Sequence, residues 1–316
     1  MIGLETLYLI GGAFFAAIAV LSVRDASNPK RWKNTAFWGL FAVSFLFGSH
    51  LPDFANGLVV IAMVLVAGFG GLGRGEPATT GPEERTESAA RLGNRLFLPA
   101  LAIPLTALAG TFAFKRPELA GLVDPKQATL VSLILGVFAA LAIAMPMLRA
   151  RPATPLQEGR RLLDTVGWAA VLPQMLAALG AVFAAAGVGE AIGQLAGQSL
   201  PEGSRMAAVA AYTFGMAIFT MIMGNAFAAF PVMTAGIGLP LIVLKFGGNP
   251  AIVGAIGMLS GFCGTLMTPM AANFNVVPAA LLELSDRNGV IRAQVPTAIL
   301  LLFANTALMY VLAFRF

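Results

Sequence analysis

The residues best able to bind something are neutral and fall in two stretches. Segment 250–282 carries Thr265, Thr268, Asn273 and Asn275, with Pro269 and Pro278 beside them. Segment 206–244 carries Asn225 between Gly224 and Pro231 and contains no charged residue. Asn and Thr offer donors and acceptors that need no change of protonation. Gly frees the backbone, and Pro removes an N–H and disfavours the helix turn behind it. Two half-helices meeting near Asn225 would form a helical hairpin, and the two prolines would break a helix in 250–282. Backbone groups freed at such breaks need protein or a water-filled cavity as partners. Exposed helix N-termini attract carboxylates and C-termini attract cations. The pattern therefore suits a small anion together with a cation. Asn225, Thr265, Thr268, Asn273 and Asn275 are the expected lining. Gly224, Pro231, Pro269 and Pro278 are the expected shaping residues. Taken singly, each Asn or Thr could equally be glue between helices.

Other chemistry finds little support. One histidine, His50, and one cysteine, Cys263, exclude a disulfide framework and a Cys/His zinc site. Cys263 reads as a small packing residue. No Ser-His-Asp set, HExxH, CxxC or P-loop is present, so no enzyme is expected. GFGGLGRG (Gly68–Gly75) ends an apolar run rather than following a strand, which makes it a helix end with a flexible exit rather than a nucleotide loop. Asp53 reads as a turn residue beside His50. Lys245 reads as snorkelling to an interface, and Glu283 and Asp286 as loop residues. Nothing resembles a nucleic-acid surface, and no cofactor is implied beyond Na⁺ or H⁺ as a coupling ion.

The elements that must position these residues are set by composition. Of 316 residues, 58% are hydrophobic and 11% charged. A soluble domain carries about 25% charged residues, so the apolar surface calls for a bilayer as solvent. The expected fold is an all-α integral membrane bundle of about 8–10 helices, with at least one helical hairpin and one broken helix. Apolar bands fall at 6–23, 35–49, 54–73, 96–114, 128–147, 165–187, 206–223, 226–244, 250–270 and 294–314. The intervening stretches 74–95, 149–164 and 188–205 read as polar loops. The basic residues of 24–34, 74–95 and 149–164 place those segments in the cytoplasm, with the N-terminus, 115–127 and 188–205 outside. The first apolar run lacks a preceding basic region, so it is expected to be an uncleaved span. The chain divides into an N-terminal half, 1–164, with cytoplasmic loop 74–95, and a C-terminal half, 165–316, with hairpin 206–244 and broken helix 250–282. A degenerate internal repeat is suggested by the order LP, GN…P, MPM/TPM in both halves.

The runs WGLFAVSFLFGSHLPDFANGLVVIAMVLVAGFGGLGRG, GNAFAAFPVMTAGIGLP and GMLSGFCGTLMTPMAANFNVVPAALLEL resemble an uncharacterised bacterial inner-membrane family, over nearly the whole chain. Members of that family are typically encoded beside a smaller membrane protein and a pyroglutamyl peptidase. The resemblance implies a multi-pass inner-membrane subunit of a two-component permease for 5-oxoproline. More remotely, the second half resembles gluconate-type permeases of the ion transporter superfamily. Gly224, Ala226, Thr234, Ala235, Gly236 and Ile237 match their hairpin in kind, while Asn225 and Phe227 stand where that pattern has Ser and Thr. That likeness implies paired hairpins and an elevator-like movement, while the loss of those two hydroxyls departs from a polyol-acid site and would fit a flatter, less hydroxylated acid. The first half offers only GNRLFLPALAIP as a counterpart, so a second membrane subunit or a homo-oligomer would complete the site. The expected function is a cation-driven secondary transporter, or a subunit of one, for a small organic anion. The alternative is a non-transporting scaffold that stabilises a partner permease.

Overall fold

The computed structural model describes residues 1–76, 80–119, 121–201, 203–282 and 284–315. Every regular element among the described residues is a helix, with no strand beyond an isolated bridge between Ile2 and Val123. Among the described residues six helices are long and apolar enough to cross a membrane, so the protein is a polytopic helical membrane protein. The chain forms two compact units, Met1–Gly167 and Trp168–Phe316.

The first unit contains α1 (Leu4–Arg24), α2 (Arg31–Phe47), α3 (Asp53–Gly68), α4 (Pro82–Leu92), α5 (Phe97–Ala113), α6 (Ala128–Met147) and α7 (Thr154–Val166). Its two ends are defined by what meets at each end of α1. At the start of α1, the Ile2 N–H donates to Leu122 O at 2.7 Å, and the Ser49 hydroxyl donates to Glu5 at 3.1 Å. At its finish, Arg160 of α7 pairs with Asp25 at 2.8 Å. The N-terminus and 115–127 therefore share one end, and 24–34 shares the other with α7. That is the grouping the distribution of basic residues requires.

α1 and α2 pack through an aromatic cluster. Phe15 stacks on Trp38 and Phe41, and Phe37 meets both edge-on. α5 and α6 pack closely at Gly110 and Gly136, where an added Cβ would lie 2.3 Å from Ser132 Oγ and 2.8 Å from Ile103 O. No residue of α5 is buried, as suits a helix whose solvent is lipid.

The second unit contains α8 (Leu172–Ala185), α9 (Val188–Ser199), α10 (Arg205–Met223), α11 (Ala226–Met233), α12 (Pro250–Leu266), α13 (Val276–Leu281) and α14 (Gly289–Leu312). α11 continues without a break into a π-helical stretch, Thr234–Lys245, with Pro240 inside it. Small residues carry the packing, as expected where lipid removes the hydrophobic drive and close contact must replace it. Added Cβ atoms at Gly189 and Gly193 of α9 would lie 2.9 Å from Val232 O and 2.7 Å from Gly236 O. The Tyr212 ring lies between Gly238 and Gly257, with its hydroxyl 2.9 Å from Thr234 Oγ1.

Three expected loops contain helices: 74–95 holds α4, 149–164 holds most of α7, and 188–205 holds α9. Each has too many polar residues for an apolar band to reveal it, yet each has helix boundary signals. α4 starts at Pro82 after Gly81, with Glu83 and Glu84 in its first turn. α7 turns Arg160 and Asp164, one turn apart, into the protein. α9 follows Gly187 in the left-handed region (φ 69°) and is bent 62° from the end of α8. This is a second broken helix, which apolar banding hides.

The suggested repeat does not recur as elements. GNRLFLP is a 3₁₀ turn leading into α5, whereas GNAFAAFP is a turn between two helices. Pro146 of AMPM lies inside α6, but Pro269 of MTPM lies where α12 has ended. Glu283 lies outside the described residues.

Candidate functional site

The site begins with two parallel helices. Tyr212, Met216 and Ala217 of α10 face Gly257, Gly261 and Gly264 of α12 in the same order along both helices. At Gly264 an added Cβ would lie 2.3 Å from Ala217 O, so the backbones touch. Parallel packing brings both C-termini to one end, and with them the negative ends of two helix dipoles.

α10 ends at Gly224, whose φ of +74° is easy only for glycine. An added Cβ there would lie 2.5 Å from Met270 O, so the turn rests on the backbone beyond α12. Asn225 then caps α11, its Oδ1 accepting from the Phe227 N–H at 2.8 Å. Asn225 is half-buried, and its amide Nδ2 donates to no group among the described residues. The expected half-helices need correction here. α10 has 19 residues and the helix from Ala226 to Lys245 has 20, so each arm is span-length. Pro231 lies inside α11 and does not break it, and the turn is made by Gly224 and Asn225.

The break after α12 is held by side chains. The Thr268 hydroxyl donates to Met221 O at 3.0 Å and accepts from the Met270 N–H at 3.2 Å. Asn275, fully buried, donates through Nδ2 to Thr265 O at 2.8 Å and Thr268 O at 2.7 Å. Thr265, also buried, donates its hydroxyl to Phe262 O at 2.6 Å. Pro269 is exposed at the break, and Pro278 is half-buried within the short α13.

The structure thus brings Gly224, Thr265, Thr268, Pro269 and Asn275 together around one break, with Asn225 on the turn packed against it. It does not give all the expected lining residues free polar groups. Thr265, Thr268 and Asn275 spend hydrogen bonds on the backbone of the break. Asn273 is exposed. What remains uncommitted is Asn225 Nδ2 and, fully buried, Asn275 Oδ1 and Thr220 Oγ1. Sequence reading missed Thr220. Its only signal is a place on the α10 face that meets the glycines of α12.

The lone cysteine packs as expected. Cys263 is buried, its thiol donates to Leu259 O, and it accepts from Asn305 Nδ2 at 3.6 Å. Lys245 is exposed and lies over the Phe246 ring. His50 is exposed beside Ser49, and Asp286 pairs with Arg292 at 3.1 Å. Among the described residues no three His, Cys, Asp or Glu side chains group as a metal site would need.

A polar network in the first unit was not foreseen. Asn34 donates to Gly73 O at 2.8 Å and accepts from the Gly73 N–H at 2.9 Å. It also donates to Asp164 Oδ1 at 2.8 Å, which accepts from Trp38 Nε1 at 3.1 Å as well. Lys30 and Lys33 hold the carbonyls of Gly70 and Phe69. An added Cβ at Gly73 would lie 2.1 Å from Asn28 Oδ1. GFGGLGRG is therefore a pinned loop, not a flexible exit, and its glycines admit polar side chains against the backbone. Burial raises the Asp164 pKa, against the hydrogen bonds from Trp38 and Asn34 and the Arg160 charge. At Asp25 burial also acts upward, but hydrogen bonds from Ser27 and the Arg160 charge outweigh it and hold the carboxyl below its ordinary range.

Residues 5–314 match the family described as protein of unknown function (DUF979), and the chain belongs to it. No curated protein and no solved structure matches the chain.

Proposed function

Starting from a member of DUF979 with this turn and break in its second unit, we propose a secondary transporter, or one subunit of a two-component permease, for a small organic anion such as 5-oxoproline in the bacterial inner membrane. The observation that carries the reading is the Gly224–Asn225 turn. It presents the N-terminus of α11, and an Asn225 amide donor not committed elsewhere, against a broken helix. A helix N-terminus with free donors favours a carboxylate. Phe227, exposed and edge-on to Phe262 at 5.7 Å between ring centres, offers an apolar face to a flat ring. A cation gradient drives uptake, and the C-terminal ends of α10 and α12 supply the negative pole that a cation needs.

The test is uptake of labelled 5-oxoproline into vesicles containing the protein, with any co-encoded membrane subunit present. Asn225→Ala should cut uptake at least about tenfold while leaving insertion intact; a loss of about 1.4 kcal/mol of binding corresponds to that factor. Uptake unchanged in the variant removes Asn225 from the site. No uptake of any acid in a panel, with the partner present, favours the scaffold reading instead. The dense hydrogen bonding that Thr268 and Asn275 spend on the break is the observation on the scaffold side.

A further inference from the structure

The polar groups at the break after α12 are unevenly satisfied. Asn275 turns Nδ2 to the carbonyls of Thr265 and Thr268, at 2.8 and 2.7 Å. Both neighbours are acceptors, so the amide cannot be flipped without setting oxygen against oxygen. Its Oδ1 is then committed to the opposite side, where it has no partner among the described residues, in a side chain with no exposed surface. Thr220 Oγ1, on the α10 side, is equally buried and equally unpartnered. A buried acceptor left unmatched keeps its desolvation cost, and lipid offers no relief.

The surroundings favour a positive guest. α10 and α12 are parallel and end together, so two dipoles present their negative ends here. Segments 206–244 and 250–282 hold no Asp, Glu, His, Lys or Arg. A proton would find no titrating carboxylate or imidazole there. A divalent ion would lack the carboxylates that balance its charge. A monovalent cation held by neutral oxygens fits.

We infer that a sodium ion binds at the convergent C-termini of α10 and α12, with Asn275 Oδ1 and Thr220 Oγ1 among its ligands. This deepens the transport reading by assigning its coupling ion. It also moves Asn275 from the anion to the cation.

The experiment is thermal unfolding of the purified full chain in detergent, titrated with sodium chloride against choline chloride and potassium chloride at constant ionic strength. The parent protein should show a saturable, sodium-specific rise in Tm. Asn275→Ala should abolish it, but this variant also strips the donor from two carbonyls and so could fail to fold. Thr220→Val is the decisive variant. It keeps the shape and removes a hydroxyl that bonds to nothing, so without sodium it should be at least as stable as the parent. Its apparent sodium affinity should nevertheless fall at least about tenfold. An equal response to choline, or an undiminished sodium response in Thr220→Val, overturns the site, since a bound water would give that result. The outcome is separable from transport. A sodium-specific shift in a protein that moves no acid keeps the ion site and removes the transporter. Uptake that runs equally well in choline, with no shift, does the reverse.

Discussion

Gly224 joins two constraints in one residue, and they can be measured apart. Its φ of +74° disfavours any side chain, and an added Cβ would meet Met270 O at 2.5 Å. Gly247 has nearly the same φ, +73°, but nothing within 4 Å of an added Cβ. Gly247→Ala should therefore cost only the left-handed penalty, about 1–2 kcal/mol. Gly224→Ala should cost clearly more, because the turn must lift off the break. Unfolding both variants in detergent and comparing their midpoints checks this. Equal losses would mean that the turn does not bear on Met270. Gly224 and Asn225 were legible as a turn because Gly-Asn is a turn pair inside a charge-free run. Thr220 was not legible, because a threonine within an apolar helix looks the same whether its hydroxyl is matched or orphaned.

Between elements, the glycines of α12 make the strongest prediction. Gly264→Ala places a methyl 2.3 Å from Ala217 O, a backbone atom that cannot rotate away. Gly254→Ala meets only Phe230 Cζ at 3.7 Å, an ordinary contact. The first should lower the unfolding midpoint by an amount typical of overpacking, about 1–3 kcal/mol. The second should be neutral or mildly stabilising, since alanine favours helix over glycine. A matched loss in both would separate α10 from α12.

The Asp25–Arg160 and Asp164 network predicts how stability varies with pH. Asp164 has a raised pKa in the fold, so the fold favours its protonated form. Its contribution falls as pH rises from the ordinary carboxylate range through the raised value. Asp25 has a lowered pKa, so its contribution is present above the ordinary value and is lost as pH falls through the lowered one. Asp164→Asn should therefore remove the decline on the alkaline side and leave the acid-side loss in place. Unfolding midpoints from about pH 3 to about pH 8 read both limbs. An unchanged alkaline limb in the variant would remove Asp164 as its source. α7, which carries Arg160 and Asp164 of this network, was hidden for a physical reason. α7 alternates charge with apolar residues at helical spacing, so its mean hydropathy resembles a loop although one face is buried.

For the whole molecule, the two ends of the first unit predict sidedness. Cys263 is the lone cysteine and is buried, so a membrane-impermeant thiol reagent should spare the parent protein. Glu118→Cys and Glu84→Cys, both at exposed positions, should label from opposite faces of intact vesicles, with Glu84 on the side of the basic loops. Labelling of both from one face would overturn the arrangement around α1.

Residence in a membrane follows from the sequence by itself, because transfer of apolar surface into lipid depends on residue type and run length and hardly on neighbours. The 128–147 band and helix α6 even share their limits. The turn at Asn225 and the end of α12 near Pro269 follow for a related reason: glycine, proline and capping asparagine act over one turn of chain. The tertiary structure alone decided which polar groups are matched. Asn275 lies ten residues from the carbonyl of Thr265, and Thr268 forty-seven from that of Met221. Hydrogen bonds at those separations depend on how α10, α12 and the chain beyond α12 pack. Packing turned two expected ligands, Thr268 and Asn275, into braces and left a buried oxygen on each of Thr220 and Asn275 with no partner among the described residues.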